Sequence, residues 1–217
     1  ILAKLADGRI HIQHTSSGGS IDIIREAKKR GIRITCETGP HYFALTEDAV
    51  LIRGAMAKMN PPLCTEADRR AVIEGLRDGT IDVIATDHAP HPAEEKARGI
   101  EKAPFGIVGL ETAVPLVITK LVKEENFSYI DAFAKLTCNP CRIAKIDRGT
   151  IAEGKPADIV VIDPEKKVQI TEDFLVSKCK NSPFIGMELY GSVECTVCGG
   201  KIVYRKNQEF CMPGEVL

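Results

Sequence analysis

The feature that most constrains the fold is an apolar segment, residues 81–86, that ends in Asp87 and His88. Most of its side chains are apolar, which is typical of a strand buried on both faces of a sheet. Such strands occur mainly in parallel sheets that helices cover on both sides. The segment therefore predicts an α/β fold in which polar residues directly follow a buried strand.

Strand-like and helix-like segments alternate up to residue 148. Strands of apolar and β-branched residues are predicted over residues 9–14, 32–38 and 81–86. Helices with a polar capping residue are predicted to begin at Ser20, Thr65 and Ser128. A further helix is predicted over residues 110–122, with Pro115 inside it as a kink. This order predicts a parallel sheet or barrel.

The pattern changes after Gly149. Segments of β character, separated by Gly, Pro and Asn, are predicted over residues 150–163, 167–171 and 191–205. This spacing of short β segments is typical of an all-β unit. We therefore predict one α/β domain over residues 1–148 and a β-sandwich-like segment over residues 149–217.

The first residue is Ile rather than Met, and residues 1–8 resemble the end of a helix. We therefore expect that the chain lacks its beginning. Twenty-nine basic and 30 acidic residues give a formal charge of −1, which does not favour nucleic acid as a partner. The apolar runs are shorter than the ~20 residues that cross a bilayer. We expect a cytoplasmic protein that does not contact membranes.

Eight cysteines include two C-x-x-C pairs, at residues 138–141 and 195–198. Two such pairs have the form of a four-cysteine zinc site. However, the first pair lies where a helix is predicted to end, and Cys195 and Cys198 would face opposite sides of a regular strand. We expect packed, reduced thiols.

Residues capable of chemistry follow each predicted strand, namely His14, His41 and Asp87. The active site of a parallel α/β barrel lies at the carboxyl ends of its strands. His14 and Asp87 are therefore candidate metal ligands, although a buried structural histidine and a turn-forming aspartate fit the same positions. His11 precedes His14 by an odd number of residues, so the two rings are expected on opposite faces of the strand.

Loop residues complete the candidate site. His91 lies between two prolines that stiffen its loop, and it can face an anionic group or solvent. Asn60 precedes two prolines, and its amide can pair with a planar amide, although Asn-Pro is also common in turns. Phe105 is followed by Gly106, which permits close approach of the backbone to a ligand.

Five longer segments contain these residues, namely HIQHTS at 11–16, CETGPH at 36–41, KMNPPL at 58–63, ATDHAPH at 85–91 and APFGIVGLET at 103–112. Taken together, they resemble the class I dihydroorotases of the amidohydrolase superfamily. Further similar segments are GTI at 149–151, ADIVVI at 157–162 and NSPFIG at 181–186. The resemblance implies the C-terminal part of a (β/α)8 TIM barrel, about strands six to eight, followed by a small β-rich domain.

The resemblance also implies roles for the candidate residues. His14 matches a metal ligand of the sixth strand, and Asp87 matches the eighth-strand aspartate that binds metal and moves the proton. Contacts to the substrate are implied for a second set, which consists of Asn60, His91, Phe105 and Gly106. His41 would support the ligands from behind.

The implied activity is the reversible cyclisation of N-carbamoyl-L-aspartate to L-dihydroorotate in pyrimidine biosynthesis, with one or two zinc ions per subunit. Zinc acidifies water and polarises carbonyls, and a nearby carboxylate can move the proton. The family's ligands from strands one, four and five have no counterpart here, so we expect this chain alone to be inactive. A homodimer and a complex with another pyrimidine enzyme both stay open.

Two other interpretations remain at this point. Hydantoinases and allantoinases share the scaffold and act on other cyclic amides. A dihydroorotase-like partner of another pyrimidine enzyme, without activity of its own, would also keep the fold. Asn60, His91 and Phe105 favour dihydroorotase over the first alternative, and the presence of both His14 and Asp87 argues against the second.

Overall fold

Two sheets and ten α-helices make up the structure, a computed structural model that describes residues 1–206. The strands are β1 (Ile10–Ile12), β2 (Ile34–Thr38), β3 (Val83–Ile84), β4 (Ile159–Gln169), β5 (Glu188–Cys198) and β6 (Lys201–Arg205). The helices are α1 (Leu2–Leu5), α2 (Gly18–Lys29), α3 (Pro40–Ala44), α4 (Asp48–Arg53), α5 (Glu66–Arg77), α6 (Ala93–Lys96), α7 (Gly99–Lys102), α8 (Ala113–Leu116), α9 (Tyr129–Ala134) and α10 (Cys138–Ala144). A 3₁₀ helix covers Gly54–Ala57, and a π-helix covers Val117–Glu124.

The first sheet is parallel and has the strand order β1-β2-β3. Its register places His11 beside Thr35, and Glu37 beside Val83. The predicted βαβ order and parallel pairing are confirmed, but each strand is shorter than expected. On the side of β3 that faces away from β2, the N–H of Ile84 donates to the carbonyl of Lys135 (3.0 Å).

Helix α2 brings its apolar residues Ile21 and Ile24 against the parallel sheet, where both are buried. The predicted cap at Ser20 was wrong. Ser17 has the extended backbone of a capping residue, and its hydroxyl accepts from the N–H of Ser20. The helix therefore begins one residue after Ser17, and Gly31 with φ of 71° follows its end.

The predicted starts of two further helices are confirmed. Thr65 caps α5 through a capping box in which Thr65 and Asp68 bond to each other's backbone N–H. Ser128 caps α9 by accepting from the N–H of Asp131. These bonds, reciprocal at Thr65 and one-way at Ser128, satisfy backbone donors that a helix leaves unpaired at its first turn.

The helix predicted over residues 110–122 differs from the observed one. Helix α8 begins at Ala113, so Pro115 lies in its first turn, where a missing N–H leaves no hydrogen bond unmade. The chain then continues as the π-helix Val117–Glu124. Pro115 is therefore part of the helix start rather than a kink in its middle.

The second sheet is antiparallel, with the order β4-β5-β6. The two segments predicted at residues 150–163 and 167–171 form one strand, β4, which is irregular between Asp163 and Lys167. Leu189 of β5 belongs to the same buried core as Leu116 and Val117, so the antiparallel sheet packs on α8 and the π-helix. The domain boundary at residues 148/149 stays a prediction.

The cysteines of residues 1–206 are free thiols, and no group of three or more His, Cys, Asp or Glu side chains there is placed to hold a metal ion. Cys138 and Cys141 lie inside α10, not at the end of a helix as predicted. Within the same residues, no helix is long and apolar enough to cross a membrane.

Candidate active site

The side chains that follow β1 and β3 converge. Nε2 of His14 lies 3.5 Å from Oδ1 of Asp87, and the two side chains are 26% and 25% exposed. Both residues adopt a left-handed backbone, with φ of 54° and 49°. Such values are uncommon for residues other than glycine, and strained backbone of this kind clusters at functional sites.

Glu37 of β2 joins this pair and was not among the predicted site residues. Its Oε1 lies 3.3 Å from Nδ1 of His14, and its Oε2 lies 3.1 Å from Nε2 of His11. The expectation that the two histidines face opposite sides was wrong, because β1 ends at Ile12 and strand alternation no longer applies at His14. We call His14, Glu37 and Asp87 the strand-end cluster.

A sequence signal for Glu37 did exist. It lies in β2, whose side chains are otherwise apolar or small, and it is only 7% exposed. On a strand it shares a face with Thr35, whose hydroxyl lies 2.8 Å from Nδ1 of His11. A carboxylate in such a buried position requires polar partners, and here they are histidines.

The cluster contains groups whose polar requirements are not fully met. Burial raises the pKa of Asp87; the charge of His14 lowers it, and the Glu37 carboxylate adds to the increase. Nδ1 of His14 is buried without a hydrogen-bond partner in residues 1–206, although Glu37 lies within 3.3 Å, because the approach lacks hydrogen-bond geometry. Two carboxylates and an imidazole in this arrangement attract a cation.

The spacing of the cluster fits a zinc ion. Two ligands about 2.1 Å from one tetrahedral zinc lie about 3.4 Å apart, and the His14–Asp87 distance is 3.5 Å. Imidazole nitrogen and carboxylate oxygen are both usual zinc donors. The described residues supply no third ligand in a metal-binding group, so this pair fits part of a zinc site.

His41, predicted to support the ligands, lies in α3 directly after β2. It is 1% exposed, and its Nε2 has no hydrogen-bond partner in residues 1–206. Burial, followed by the charge of His14, lowers its pKa to about 3, so the ring is neutral. His41 is therefore a buried, uncharged side chain, and its supporting role stays a prediction.

Tyr42 connects the strand-end cluster to the turn that contains Asn60. Its hydroxyl donates to the carbonyl of Pro61 at 2.7 Å. Burial, followed by the negative charge of Asp87, raises the pKa of Tyr42. The Asn60–Pro61 peptide bond is cis, and Asn60 is exposed. The turn is thus held near Asp87, while the Asn60 side chain faces solvent.

His91, Phe105 and Gly106 meet in one group. Nε2 of His91 lies 2.8 Å from the carbonyl oxygen of Phe105. Gly106 has φ of 114°, and a Cβ added there would lie 2.5 Å from that of Ala89. The N–H of Gly106 donates to the carbonyl of Lys58 at 3.0 Å, so a substrate that bonds this N–H would compete with Lys58.

Two buried residues that sequence reasoning missed hold this group in place. The ammonium of Lys96 and the amide of Asn181 both donate to the carbonyl of Gly106. We call His91, Lys96, Phe105, Gly106 and Asn181 the loop cluster. A lysine beside two glutamates in a short helix has the pattern of a solvated face, so its sequence gave no signal of burial.

Parallel strands alternating with helices, and a histidine that meets an aspartate where the strands end, are the features of an α/β protein whose site lies at the carboxyl ends of its strands, as in α/β barrels. The chain belongs to the amidohydrolase family, whose profile matches residues 1–203. The resemblance predicted from the motifs is thereby confirmed at the level of the superfamily.

Curated relatives include the dihydroorotases of Clostridium acetobutylicum and Geobacter metallireducens. The chain is 50% identical to the first over 203 residues and 51% identical to the second over 205 residues. Each alignment covers 94% of this chain and 48% of the relative. The chain therefore spans about half the length of the curated relatives it matches.

Similar solved structures are those of hydantoinases. The L-hydantoinase (dihydropyrimidinase) from Arthrobacter aurescens superposes with a TM-score of 0.88 at 27% identity, over 97% of this chain and 48% of that one. The dihydropyrimidinase from Brevibacillus agri gives 0.87 at 25% identity, over 95% and 47%. These similarities support the α/β amidohydrolase fold; the assignment to strands six to eight stays a prediction.

Proposed function

We propose that the complete gene product containing this chain is a zinc-dependent dihydroorotase. It would interconvert N-carbamoyl-L-aspartate and L-dihydroorotate. The observation that carries the proposal is the 3.5 Å approach of His14 to Asp87 beside a buried glutamate. Identity of 50% and 51% to two dihydroorotases, over 203 and 205 residues, supports this substrate.

His14 and Asp87 would hold the metal through Nε2 and Oδ1. When bound, zinc supplies a Lewis acid that polarises the amide carbonyl and lowers the pKa of water. A catalytic zinc site normally has three protein ligands, so at least one ligand beyond this pair is required. Glu37, on the far side of the His14 ring, would fix its orientation.

Asp87 would carry the proton. In ring opening its carboxylate accepts a proton from the attacking water and delivers it to the ring nitrogen that leaves. In ring closure it takes the proton from the carbamoyl nitrogen as that nitrogen attacks the side-chain carboxyl carbon, and delivers the proton to the carboxyl oxygen, which leaves as water. Burial, which raises its pKa, makes this carboxylate a stronger base than an exposed aspartate.

His91 and Asn60 would bind the substrate. Dihydroorotate carries a carboxylate beside its cyclic amide, and an imidazole can donate to that group. The Asn60 side chain both donates and accepts, as a planar amide requires. The Phe105–Gly106 backbone would lie against the ring. Ala89 packs where a Gly106 side chain would stand, so the glycine lets the two loops approach each other.

A hydantoinase is the second candidate, favoured by the similarity to the hydantoinase structures. The discriminating experiment compares the complete gene product on carbamoyl aspartate, dihydroorotate, hydantoin and allantoin. We expect dihydroorotate to be the best substrate by kcat/KM. His14→Ala should abolish turnover and lower metal content, while the exposed control Asp22→Asn should change neither. Faster turnover of hydantoin than of dihydroorotate would overturn the proposal.

A further inference from the structure

Lys96 occupies an unusual position for a lysine. It ends helix α6 and is only 2% exposed. Its ammonium lies 3.0 Å from the carbonyl oxygens of both Pro104 and Gly106, and 3.4 Å from that of Lys58. One side chain therefore joins three backbone carbonyls from two separate loops.

This ammonium lies against backbone carbonyls and has no counter-ion within residues 1–206. Burial, with a smaller contribution from the charge of Lys58, lowers the pKa of Lys96 to about 8. Burying a charge without a counter-ion is costly unless hydrogen bonds compensate. The three carbonyl oxygens provide these hydrogen bonds. The buried ammonium is therefore stable only while the two loops keep these carbonyls in place.

Asn181 approaches the same loops from the other side and is also 2% exposed. Its amide nitrogen donates to the carbonyls of Ala89 at 3.0 Å and Gly106 at 3.1 Å. Its amide oxygen accepts from the N–H of His91 at 3.1 Å. The side chain therefore ties the loop of His91 to Gly106.

Gly106 is the point where the two side chains meet. Its carbonyl oxygen accepts from Lys96 and from Asn181, and its φ of 114° is one that only glycine adopts readily. A glycine in such a loop has many alternative conformations when nothing holds it. Two buried donors on one oxygen remove that freedom.

We propose that Lys96 and Asn181 are positioning residues, a buried clamp that orients His91 and the Phe105–Gly106 backbone for substrate binding. The inference rests on the proposed function, since the clamp acts on groups that would contact dihydroorotate. It assigns neither residue to proton transfer or metal binding. Loss of the clamp should therefore impair binding of the substrate more than its conversion.

The test uses the complete gene product with Lys96→Ala, and Lys102→Ala, an exposed lysine in α7, as the matched control. We expect KM for dihydroorotate to rise about tenfold and kcat to change by about threefold at most. Ethylammonium ions should fill the vacated position and restore KM, whereas ethanol at the same concentration should not. The control should keep both kinetic constants and show no response to ethylammonium.

A second variant covers the case in which Lys96→Ala does not fold. Asn181→Asp keeps the size and the acceptor for the His91 N–H, but it loses the donors to Ala89 and Gly106. We expect the same rise in KM. Metal content should stay at the wild-type value, because the Asn181 side chain bonds neither His14 nor Asp87.

Hydrogen exchange separates this inference from the proposed function. The amide of Gly106, which donates to Lys58, should exchange faster in both variants without any substrate present. If the wild type does not act on dihydroorotate, the proposed function fails and this exchange still tests the clamp. An active wild type whose variants keep both KM and the exchange rate would overturn the clamp alone.

Discussion

The strand-end cluster and the loop cluster hold their groups in different ways. In the first, ionisable side chains face one another at 3.3 and 3.5 Å from strands whose positions the sheet determines. In the second, the bonded groups are backbone carbonyls of loops, fixed by two buried side chains. Ionisable groups suit metal binding and proton transfer, whereas backbone groups suit recognition of an amide. Substitutions in the two clusters should therefore separate kcat from KM.

The largest effect is expected from Asp87→Asn. The amide cannot accept the proton, so kcat for dihydroorotate should fall by about 10²–10⁴-fold. The left-handed backbone at this position suits asparagine as well as aspartate, so the fold should survive. Steady-state kinetics with parallel metal analysis tests this, and a variant that keeps a tenth of the wild-type kcat would contradict the role of Asp87.

Glu37→Gln should have the next largest effect. The amide keeps the size of the side chain but removes the charge that faces His11 and His14. Metal affinity should fall about 10–100-fold, as for other residues that orient a ligating histidine. Competition with a chelator measures this. The exposed variant Glu153→Gln is the control. Equal metal affinities in the two variants would contradict the role of Glu37 in orienting His14.

Gly106→Ala tests the loop cluster. The added methyl group meets Ala89 at 2.5 Å on a backbone that disfavours any side chain. KM should rise about tenfold while metal content stays the same. Gly154→Ala is matched, because Gly154 also has a positive φ, of 78°, but has open space around it. A loss of kcat without a change in KM would contradict the proposal that the loop cluster acts on substrate binding and the strand-end cluster on turnover.

The smallest effect is expected from a substitution outside both clusters. Thr65→Ala removes the capping box of α5 and should lower the free energy of unfolding by about 1 kcal/mol. Urea denaturation measures this loss, and kcat and KM should stay at wild-type values. A kinetic change comparable to that of Gly106→Ala would mean that α5 transmits strain to the site.

Local patterns predicted much of the fold from sequence alone. Thr65 and Ser128 each cap a helix through a partner three residues later, and such short-range bonds leave a clear trace in the sequence. The cap predicted at Ser20 was wrong because the hydroxyl of Ser17 fits a helix start equally well, and only the backbone angles distinguish the two positions. The sequence contained no local pattern that predicted the π-helix Val117–Glu124.

Sequence reasoning chose some candidate site residues from strand ends and others from loops rich in proline and glycine. His14 and Asp87 were found because strand ends mark the active edge of a barrel. Glu37 was missed because His14 was treated as part of a continuing strand, although β1 stops at Ile12. Asn181 was missed as a functional residue because its bond to His91 joins residues 90 positions apart in the chain. Contacts of that range depend on tertiary packing and have no periodic signature.

The left-handed backbone at His14 and Asp87 also limits which amino acids an engineer can place there. Aspartate and asparagine tolerate this conformation, so position 87 accepts exchange within that pair without penalty from the main chain. Histidine is less suited, and β-branched replacements at position 14 are worse still. Selection of a variant library for expression yield alone should therefore enrich glycine and asparagine at position 14. Both replacements would remove the imidazole that the proposed metal site needs.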